Sequence, residues 1–422
     1  MSAEVLQAEY DNMLACIRCG ACLTSCPTYV ISMHESEGPR GRIGIMRALS
    51  EGHLEVTPDL VEHELNCLVC DACSAVCPAG VHMDPLQVSL RSAIEPEVRR
   101  PWRERALRGL VFGWLFMDMA RFRLLARLLW VYQRSGARWL ARRLGLLRIL
   151  GLDATERLLP TLSGRFVVPG DQVYPALSGG GGREVALFAG CVMSTALADV
   201  DRATIRVLQR AGHTVRNPRR QGCCGALHAH SGDLARALEL ARANIAAFER
   251  VDGPIVVNSA GCGAMLKEYA HHLRHDAQWS ARATAFSARV KDLSEVVAPG
   301  SLPVRATLEA TVVYQDACHL LHAQRIGRQP RDLLRRIPGV TLAEIAEAGL
   351  CCGSAGVYNL TNPVQSRQLQ QRKLDNALAA DPQVIVTANP GCLLQLRAGL
   401  AERHSQVQVR HLAELLDAAT AP

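Results

Sequence analysis

The sequence predicts an α+β chain of several domains. A mostly helical, cysteine-rich N-terminal domain comes first, followed by two tandem α/β domains with parallel sheets. Three observations predict this. The sixteen cysteines fall in blocks: eight before residue 80, four between 191 and 262, and four between 318 and 392. The last two blocks lie in segments that repeat one another in order. Within each repeat, short β-branched runs bounded by glycine alternate with longer helical stretches, the pattern of parallel strands covered on both faces. With 422 residues and 49% apolar content, the chain can build a core in each domain.

In the N-terminal block, residues 16–27 read CIRCGACLTSCP and residues 67–78 read CLVCDACSAVCP. Each is C-x2-C-x2-C-x3-C-P, the spacing of two-cluster ferredoxins. Three thiolates two residues apart can wrap one face of a cuboidal cluster, and the proline directs the fourth cysteine to the other cluster. Cys16, Cys19, Cys22 and Cys77 are therefore assigned to one [4Fe–4S] cluster, and Cys67, Cys70, Cys73 and Cys26 to a second. Small neighbours (Gly20, Ala21, Ala72, Ser74) let backbone N–H groups approach the sulfurs. A pair of zinc sites is the alternative that isolated C-x2-C pairs would favour. Two complete runs ending in Cys-Pro favour iron–sulfur. GRIGIMRALSEG (41–52) between the motifs reads as helix, so residues 1–98 are expected to form a mostly helical two-cluster domain. The first residues, MSAEVLQAEYDNML, are acidic and lack the apolar run of a secretory signal. A reducing, cytoplasmic setting is expected, with cysteines serving as metal ligands rather than disulfides.

Residues 99–168 are expected to form a basic amphipathic helical region. Residues 96–150 carry thirteen Arg against three acids, or +10, so the rest of the +7 chain is near −3. The longest apolar run, Leu110 to Ala120, is interrupted by Asp118 and is too short to span a bilayer. Arg121, Arg123, Arg127, Arg134, Arg138, Arg142 and Arg143 recur at helical spacing. Two readings stand side by side: a surface for anionic lipid or an acidic partner subunit, and a helical hairpin packed on its own core with a solvated basic face. No nucleic-acid partner is expected, because the apolar face is too extensive for a phosphate-binding stripe. PGDQVYPALSGGGGR (169–183) reads as a flexible linker. Its glycines, 179–182, precede a strand rather than joining a strand to a helix, so they form no dinucleotide fingerprint. Neither a FAD nor an NAD site is visible in the chain.

The repeats occupy 184–300 and 301–422. VALFAGC (185–191) matches VVYQDAC (312–318), and GCCGA (222–226) matches LCCGSA (350–355). IVVNSAGC (255–262) matches VIVTANPGC (384–392), and VKDLSEVV (290–297) matches VRHLAELL (409–416). Cys191 to Cys223 is 32 residues and Cys318 to Cys351 is 33. Four matched features in one order indicate duplication. Adjacent cysteines make a strained disulfide, so the doublets read as parts of larger thiol sets. Cys191, Cys262, Cys318 and Cys392 are expected to end strands, where open α/β sheets bind ligands. That would gather Cys191, Cys223, Cys224 and Cys262 at one edge and Cys318, Cys351, Cys352 and Cys392 at another. Both sets are candidates for a further iron–sulfur or zinc site; the alternative is buried, reduced thiols. His319, His228 and His230 could ligate or hydrogen-bond there, or be structural. Lys267 and Glu268 read as helical surface or a subunit contact rather than an acid–base pair.

The pattern of one cysteine, CCG about 31 residues on, and a last cysteine about 37 after that resembles the cysteine-rich CCG domain. CPTY (26–29), GPRGRI (38–43), GCCGALHAH (222–230), SAGCGAMLKEYAHHL (259–273), CCGSAGVYNLTNP (351–363) and IVTANPGC (385–392) resemble the glycolate oxidase iron–sulfur subunit family. The resemblance runs from about residue 10 to the C-terminus and is weakest across 100–180. It implies an electron-transfer subunit of a complex peripheral to the inner face of the cytoplasmic membrane. An FAD-containing partner subunit would oxidise glycolate to glyoxylate, and electrons would pass onward toward quinone. Lactate dehydrogenase, glycerol-3-phosphate dehydrogenase and heterodisulfide reductase complexes share the domain and supply alternatives. In heterodisulfide reductase-like relatives the last element is C-x-x-C, and five cysteines per repeat hold a non-cubane cluster. Here Met265 and Gln395 stand at the fifth position.

Overall fold

The computed structural model describes residues 2–149, 151, 156, 159–177 and 183–421. The glycines at 179–182 of the expected linker lie outside the described residues.

The N-terminal domain is helical, as the sequence predicts. Its main helices are Pro39–Ser50, Pro58–Leu65 and Met83–Ile94. The first two start on proline, whose missing N–H costs nothing at a helix N-terminus, and Thr57 caps the second through Leu60 N. Their apolar faces meet around Met13, Ile43, Met46, Leu86, Leu90 and Ile94. The first cysteine loop precedes these helices in the chain, and the second lies between Pro58–Leu65 and Met83–Ile94.

The basic region is a string of short helices: Trp102–Arg108, a π-helical turn Gly109–Leu115, Met119–Arg134, Ala137–Arg143 and Leu146–Ile149. Asp118, which interrupts the apolar run, is the N-cap of the 119–134 helix and accepts from Ala120 N and Arg121 N. Among the described residues no helix is long and apolar enough to cross a membrane.

Each repeat is an α/β unit. In the first, β2 (Glu184–Leu187), β3 (Thr214–Asn217), β4 (Ile255–Val257) and β5 (Val290–Asp292) run parallel in the order β3-β2-β4-β5. In the second, β6 (Ala310–Tyr314), β7 (Val340–Ala343), β8 (Val384–Thr387) and β9 (Gln408–His411) run parallel in the order β7-β6-β8-β9. The two orders are the same, as a duplication requires. One element departs from the sequence reading: within the expected linker, β1 (Gln172–Tyr174) pairs antiparallel with β3 and extends the first sheet. One apolar core runs through both repeats, from Val185 and Leu208 to Val313, Leu393 and Leu416. Arg206 and Arg210 of the first repeat clamp Asp417 of the second.

Candidate metal centres

The cysteine loops of the N-terminal domain share an unusual backbone. Arg18 and Gly20 in the first, and Val69 and Asp71 in the second, all have left-handed φ, between 49° and 83°. A β-branched residue such as Val69 rarely tolerates φ of 49°, and strain of this kind concentrates at ligand-holding sites. It curls each loop around a concavity. One cavity is lined by Cys16, Cys19, Cys22 and Cys77, with Cys73 at its edge. The adjacent cavity is lined by Cys26, Cys67, Cys70 and Cys73. Cys26 is the N-cap residue before Pro27 and so leaves its own loop. Backbone N–H groups reach the thiols: Val69 N to Cys67 Sγ and Val81 N to Cys77 Sγ, both 3.4 Å.

The two cavities differ in depth. Cys19 is exposed, whereas Cys26 and Cys70 are buried. The deeper one is lined by the buried guanidinium of Arg42, and a second buried guanidinium, Arg91, stands behind Cys67. Arg42 donates to Thr28 Oγ1, Glu37 O and Glu37 Oε2, and Arg91 donates to the carbonyls of Glu64 and Cys67. Burial pushes the Cys67 and Cys73 thiols up, the nearby Arg42 and Arg91 pulling Cys67 partly back. Such thiols would give up their protons to a bound metal, and the guanidiniums would compensate the resulting negative charge.

The repeats gather the other eight cysteines into two sets of four. The sequence reading put four of these at strand ends. They lie slightly further on: Cys191 and Cys318 are four residues past β2 and β6, and Cys262 and Cys392 are five past β4 and β8, in the first turn of a helix. β2 and β4, like β6 and β8, flank the point where strand order reverses, the usual ligand crevice of a doubly wound sheet. Cys191 Sγ is 3.8 Å from Cys223 Sγ. Cys223 accepts from Cys191 and Cys224, which holds its thiol well below the usual range, and Cys224 also bonds Cys262. In the second repeat the low thiol is Cys352, which accepts from Cys351 and Cys392, while Cys351 bonds Cys318. The four thiols that the sequence groups in each repeat thus lie near one another.

The fifth position is otherwise occupied. Met265 packs into the first repeat's core. Gln395 is buried with its amide engaged, donating to Ser366 Oγ at 3.0 Å and accepting from Asn359 Nδ2 at 3.2 Å. Among the described residues, no three His, Cys, Asp or Glu side chains converge as a single ion requires. In the N-terminal domain the cysteines are spread around the two cavities, as suits a four-iron cluster, which binds each thiolate at a different corner.

The sets are not isolated. Cys70 of the deeper cavity and Cys318 and Cys351 of the second repeat belong to one buried cluster with Leu68 and Tyr358. His319 Nε2 bonds Val69 O at 2.6 Å, fixing this junction, and neither His319 nor the other two histidines approaches a thiol set as a third converging ligand. The first repeat's set is joined to the second through Ala260 N to Ala388 O and Gly261 N to Asn389 Oδ1, each 3.1 Å. Its outer side is roofed by the basic region: Phe116, Met117, Met119 and Phe122 pack on Cys191 and Cys223, and His228 Nε2 bonds Phe112 O.

Glu268 is half-buried on its helix, and desolvation there, with the charges of Asp84, Asp71 and Glu9, pushes its carboxyl up to about 8. Lys267 meets the expectation of a surface contact, pairing with Glu295 at 3.3 Å.

Comparison with known proteins adds three family matches. Residues 15–81 match the 4Fe-4S dicluster domain, 103–159 the linker region of the glycolate oxidase iron-sulfur subunit, and 185–267 and 312–397 the CCG cysteine-rich domain. A probable glycolate oxidase iron-sulfur subunit of Bacillus subtilis (strain 168) is 40% identical over 97% of this chain and 94% of its own length. The glycolate oxidase iron-sulfur subunit of Escherichia coli (strain K12) is 32% identical over 97% of this chain and 95% of its own length. Lactate utilization protein A of an Exiguobacterium strain is 30% identical, over 55% of this chain and 96% of its own length.

Proposed function

The chain belongs to the glycolate oxidase iron–sulfur subunit family, and from that premise we propose that it is the electron relay of a glycolate-oxidising complex. An FAD-containing subunit on another chain oxidises glycolate to glyoxylate. This chain takes the electrons one at a time and passes them toward a quinone at the inner face of the cytoplasmic membrane. The clusters supply one-electron redox chemistry when bound; the chain holds, spaces and insulates them.

In this reading Cys16, Cys19, Cys22 and Cys77 hold the first [4Fe–4S] cluster, and Cys67, Cys70, Cys73 and Cys26 the second. The exposed Cys19 end receives electrons, and Arg42 and Arg91 favour an added electron in the deeper site. Each repeat's four thiols hold a further iron–sulfur centre. The observation that carries the reading is the contact of Cys70 with the Cys318 and Cys351 set, which continues the path beyond the N-terminal domain. The basic region supports the membrane assignment. Trp102, Trp114 and Trp139 are exposed there, and each lies beside an arginine, Arg103, Arg121 and Arg143. Exposed tryptophan with arginine suits a lipid headgroup layer.

Iron and acid-labile sulfide on anaerobically purified protein test the ligand assignment. More than eight iron atoms per chain are expected, since two four-iron clusters account for eight. Deletion of the gene is expected to abolish glycolate-dependent electron transfer while oxidation of other 2-hydroxy acids continues. Unchanged glycolate oxidation would defeat the proposal.

A further inference from the structure

The second repeat buries a lysine that no acid pairs. Lys373 is fully buried. It lies on helix Pro363–Leu378, which follows the second doublet and is tied to it. Ser366 Oγ donates to Gly353 O at 2.8 Å, and Leu369 packs in one cluster with Cys351. One helical turn after Leu369, Lys373 Nζ donates to Glu347 O at 2.8 Å and to Ala348 O at 2.7 Å, carbonyls of the segment that leads into the doublet.

The carboxylates of this region are engaged elsewhere. Glu347 is held by Arg372 and Asn376, and Asp316 by Arg331 at 2.8 and 2.7 Å. Among the described residues no carboxylate pairs with Lys373. A buried charge without a partner is costly, and native structures pair such charges or set them at a metal site. Burial pushes the ammonium down, and the negative charge acting against this is first that of Cys352, Cys351 and Cys392. A second polar group here also lacks a partner. Tyr358 is 5% exposed and shares a buried cluster with Cys351 and Cys70. Its hydroxyl has no hydrogen-bond partner among the described residues.

The first repeat is built otherwise. The helix after its doublet, Leu234–Phe248, carries Asn244, a neutral amide. Asn244 donates to Cys223 O at 2.9 Å and to Tyr269 Oη at 3.1 Å, and accepts from Gly222 N at 2.8 Å. Its polar atoms are satisfied within the protein. His228, under the Phe112 and Phe116 rings, donates through Nε2 to Phe112 O and needs no charge to do so.

We propose that Lys373 is the counter-ion of an iron–sulfur centre held by Cys318, Cys351, Cys352 and Cys392, and that it sets this centre to take an electron at a higher potential than the centre of the first repeat. This rests on the relay reading above, which assigns a centre to each repeat. Reduction adds one negative charge. The electron comes from the reduced flavin of the partner subunit and leaves to the next acceptor, and Lys373 keeps its proton throughout. A fixed ammonium in a low-dielectric interior stabilises the more negative state, and net charge around the sulfurs is one of the factors that set such potentials.

Redox titration of the anaerobically purified full chain at fixed pH, followed by electron paramagnetic resonance, tests this. The second repeat's signal is the one that Cys318→Ser removes, and the first repeat's the one that Cys191→Ser removes. At one potential, the wild-type reduced-to-oxidised ratio is expected to be about tenfold or more higher in the second repeat, which is 59 mV for one electron. Lys373→Met is expected to lower the second repeat's ratio by about tenfold and leave the first's unchanged. Lys373→Gln, which keeps a donor for the two carbonyls, should do the same and decides the matter if the methionine variant loses iron. Arg367→Gln removes an exposed charge from the same helix and is expected to leave both ratios within about twofold, because solvent screens it. Equal wild-type ratios overturn the proposal, as does a Lys373 variant that keeps its iron and the wild-type ratio. No more than about eight iron atoms per chain, the content of two four-iron clusters, would defeat the centres in the repeats and this proposal together. More iron than that, with equal ratios, defeats this one alone.

Discussion

In the first repeat, the group behind the doublet is Asn244, whose amide donates to Cys223 O and accepts from Gly222 N. In the second it is Lys373, fully buried, donating to Glu347 O and Ala348 O at 2.8 and 2.7 Å. The strand order and the four thiols are the same. The neighbours are not. The second set carries a buried ammonium and touches the N-terminal cysteines, while the first has a neutral amide and lies under the aromatic residues of the basic region. Duplication supplies two equal scaffolds, and the packing around them makes one an inner station and the other an outer one.

The most severe way to break this comparison is to remove one cysteine from each set. Cys318→Ser is expected to slow transfer out of the N-terminal clusters by roughly 100-fold, the upper scale for disturbing a metal site's surroundings. It should also alter the electron paramagnetic resonance signal of the cluster next to Cys70. Cys191→Ser should leave that signal untouched and stop only the later step. Equal changes in both variants would erase the distinction between inner and outer stations.

A milder test loosens the roof, whose Phe116 is backed by the Phe112 ring, itself edge-on to His228. Phe112 is 8% exposed, and Phe112→Ala is expected to cost about 3 kcal/mol locally. At 1.4 kcal/mol per tenfold, the amides around Cys191 and Cys223 should exchange hydrogen on the order of 100 times faster. Those around Cys351 and Cys352 should keep their wild-type rates. Acceleration at both sets would mean that the roof stabilises the whole molecule and shields neither set in particular.

Much of this was legible in the sequence, and for identifiable reasons. The C-x2-C-x2-C-x3-C-P runs encode ligand geometry locally, so cavity membership follows from spacing. The repeat fixes strand order, because matched segments must take matched places. What was hidden depends on contacts between distant segments. Glu268 sits in a helix whose charges suggest solvent, and what raises its carboxyl is partial burial together with the charges of Asp84 and Asp71, nearly two hundred residues away. The β1 strand lies in a Pro- and Gly-rich stretch with no alternating pattern, and only its partner β3 reveals it. The apolar side of the basic region divides between a part facing Cys191 and a part facing outward, and periodicity alone cannot separate the two.

The smallest expected effect sharpens the comparison most finely, because it concerns one matched position. Asp292 and His411 each end the last strand of their repeat and each closes a capping box, with Glu295 and Glu414 respectively. Burial raises the Asp292 carboxyl from 3.8 to about 6. Burial lowers His411 from 6.5 to about 4. The neutral ring suits its place, with Nε2 bonded to Asn258 O at 2.8 Å and Nδ1 accepting from Ala413 N at 3.1 Å. The signs are opposite. His411 contributes stability above 6.5 that is lost as pH falls toward 4, because the unfolded chain binds the proton first. Asp292 contributes stability below 3.8 that is lost as pH rises through 6, because the folded chain holds its proton longer. Going from pH 7 to 5, His411 costs about 2 kcal/mol and Asp292 returns about 1 kcal/mol, so together they change stability little. His411→Asn keeps a capping acceptor and removes the loss; its stability at pH 5 relative to pH 7 should exceed wild type by about 2 kcal/mol. Asp292→Asn should fall short of wild type by about 1 kcal/mol on the same comparison. Urea unfolding at the two pH values measures both. Shifts of the same sign in the two variants would show that the matched caps do not titrate against one another.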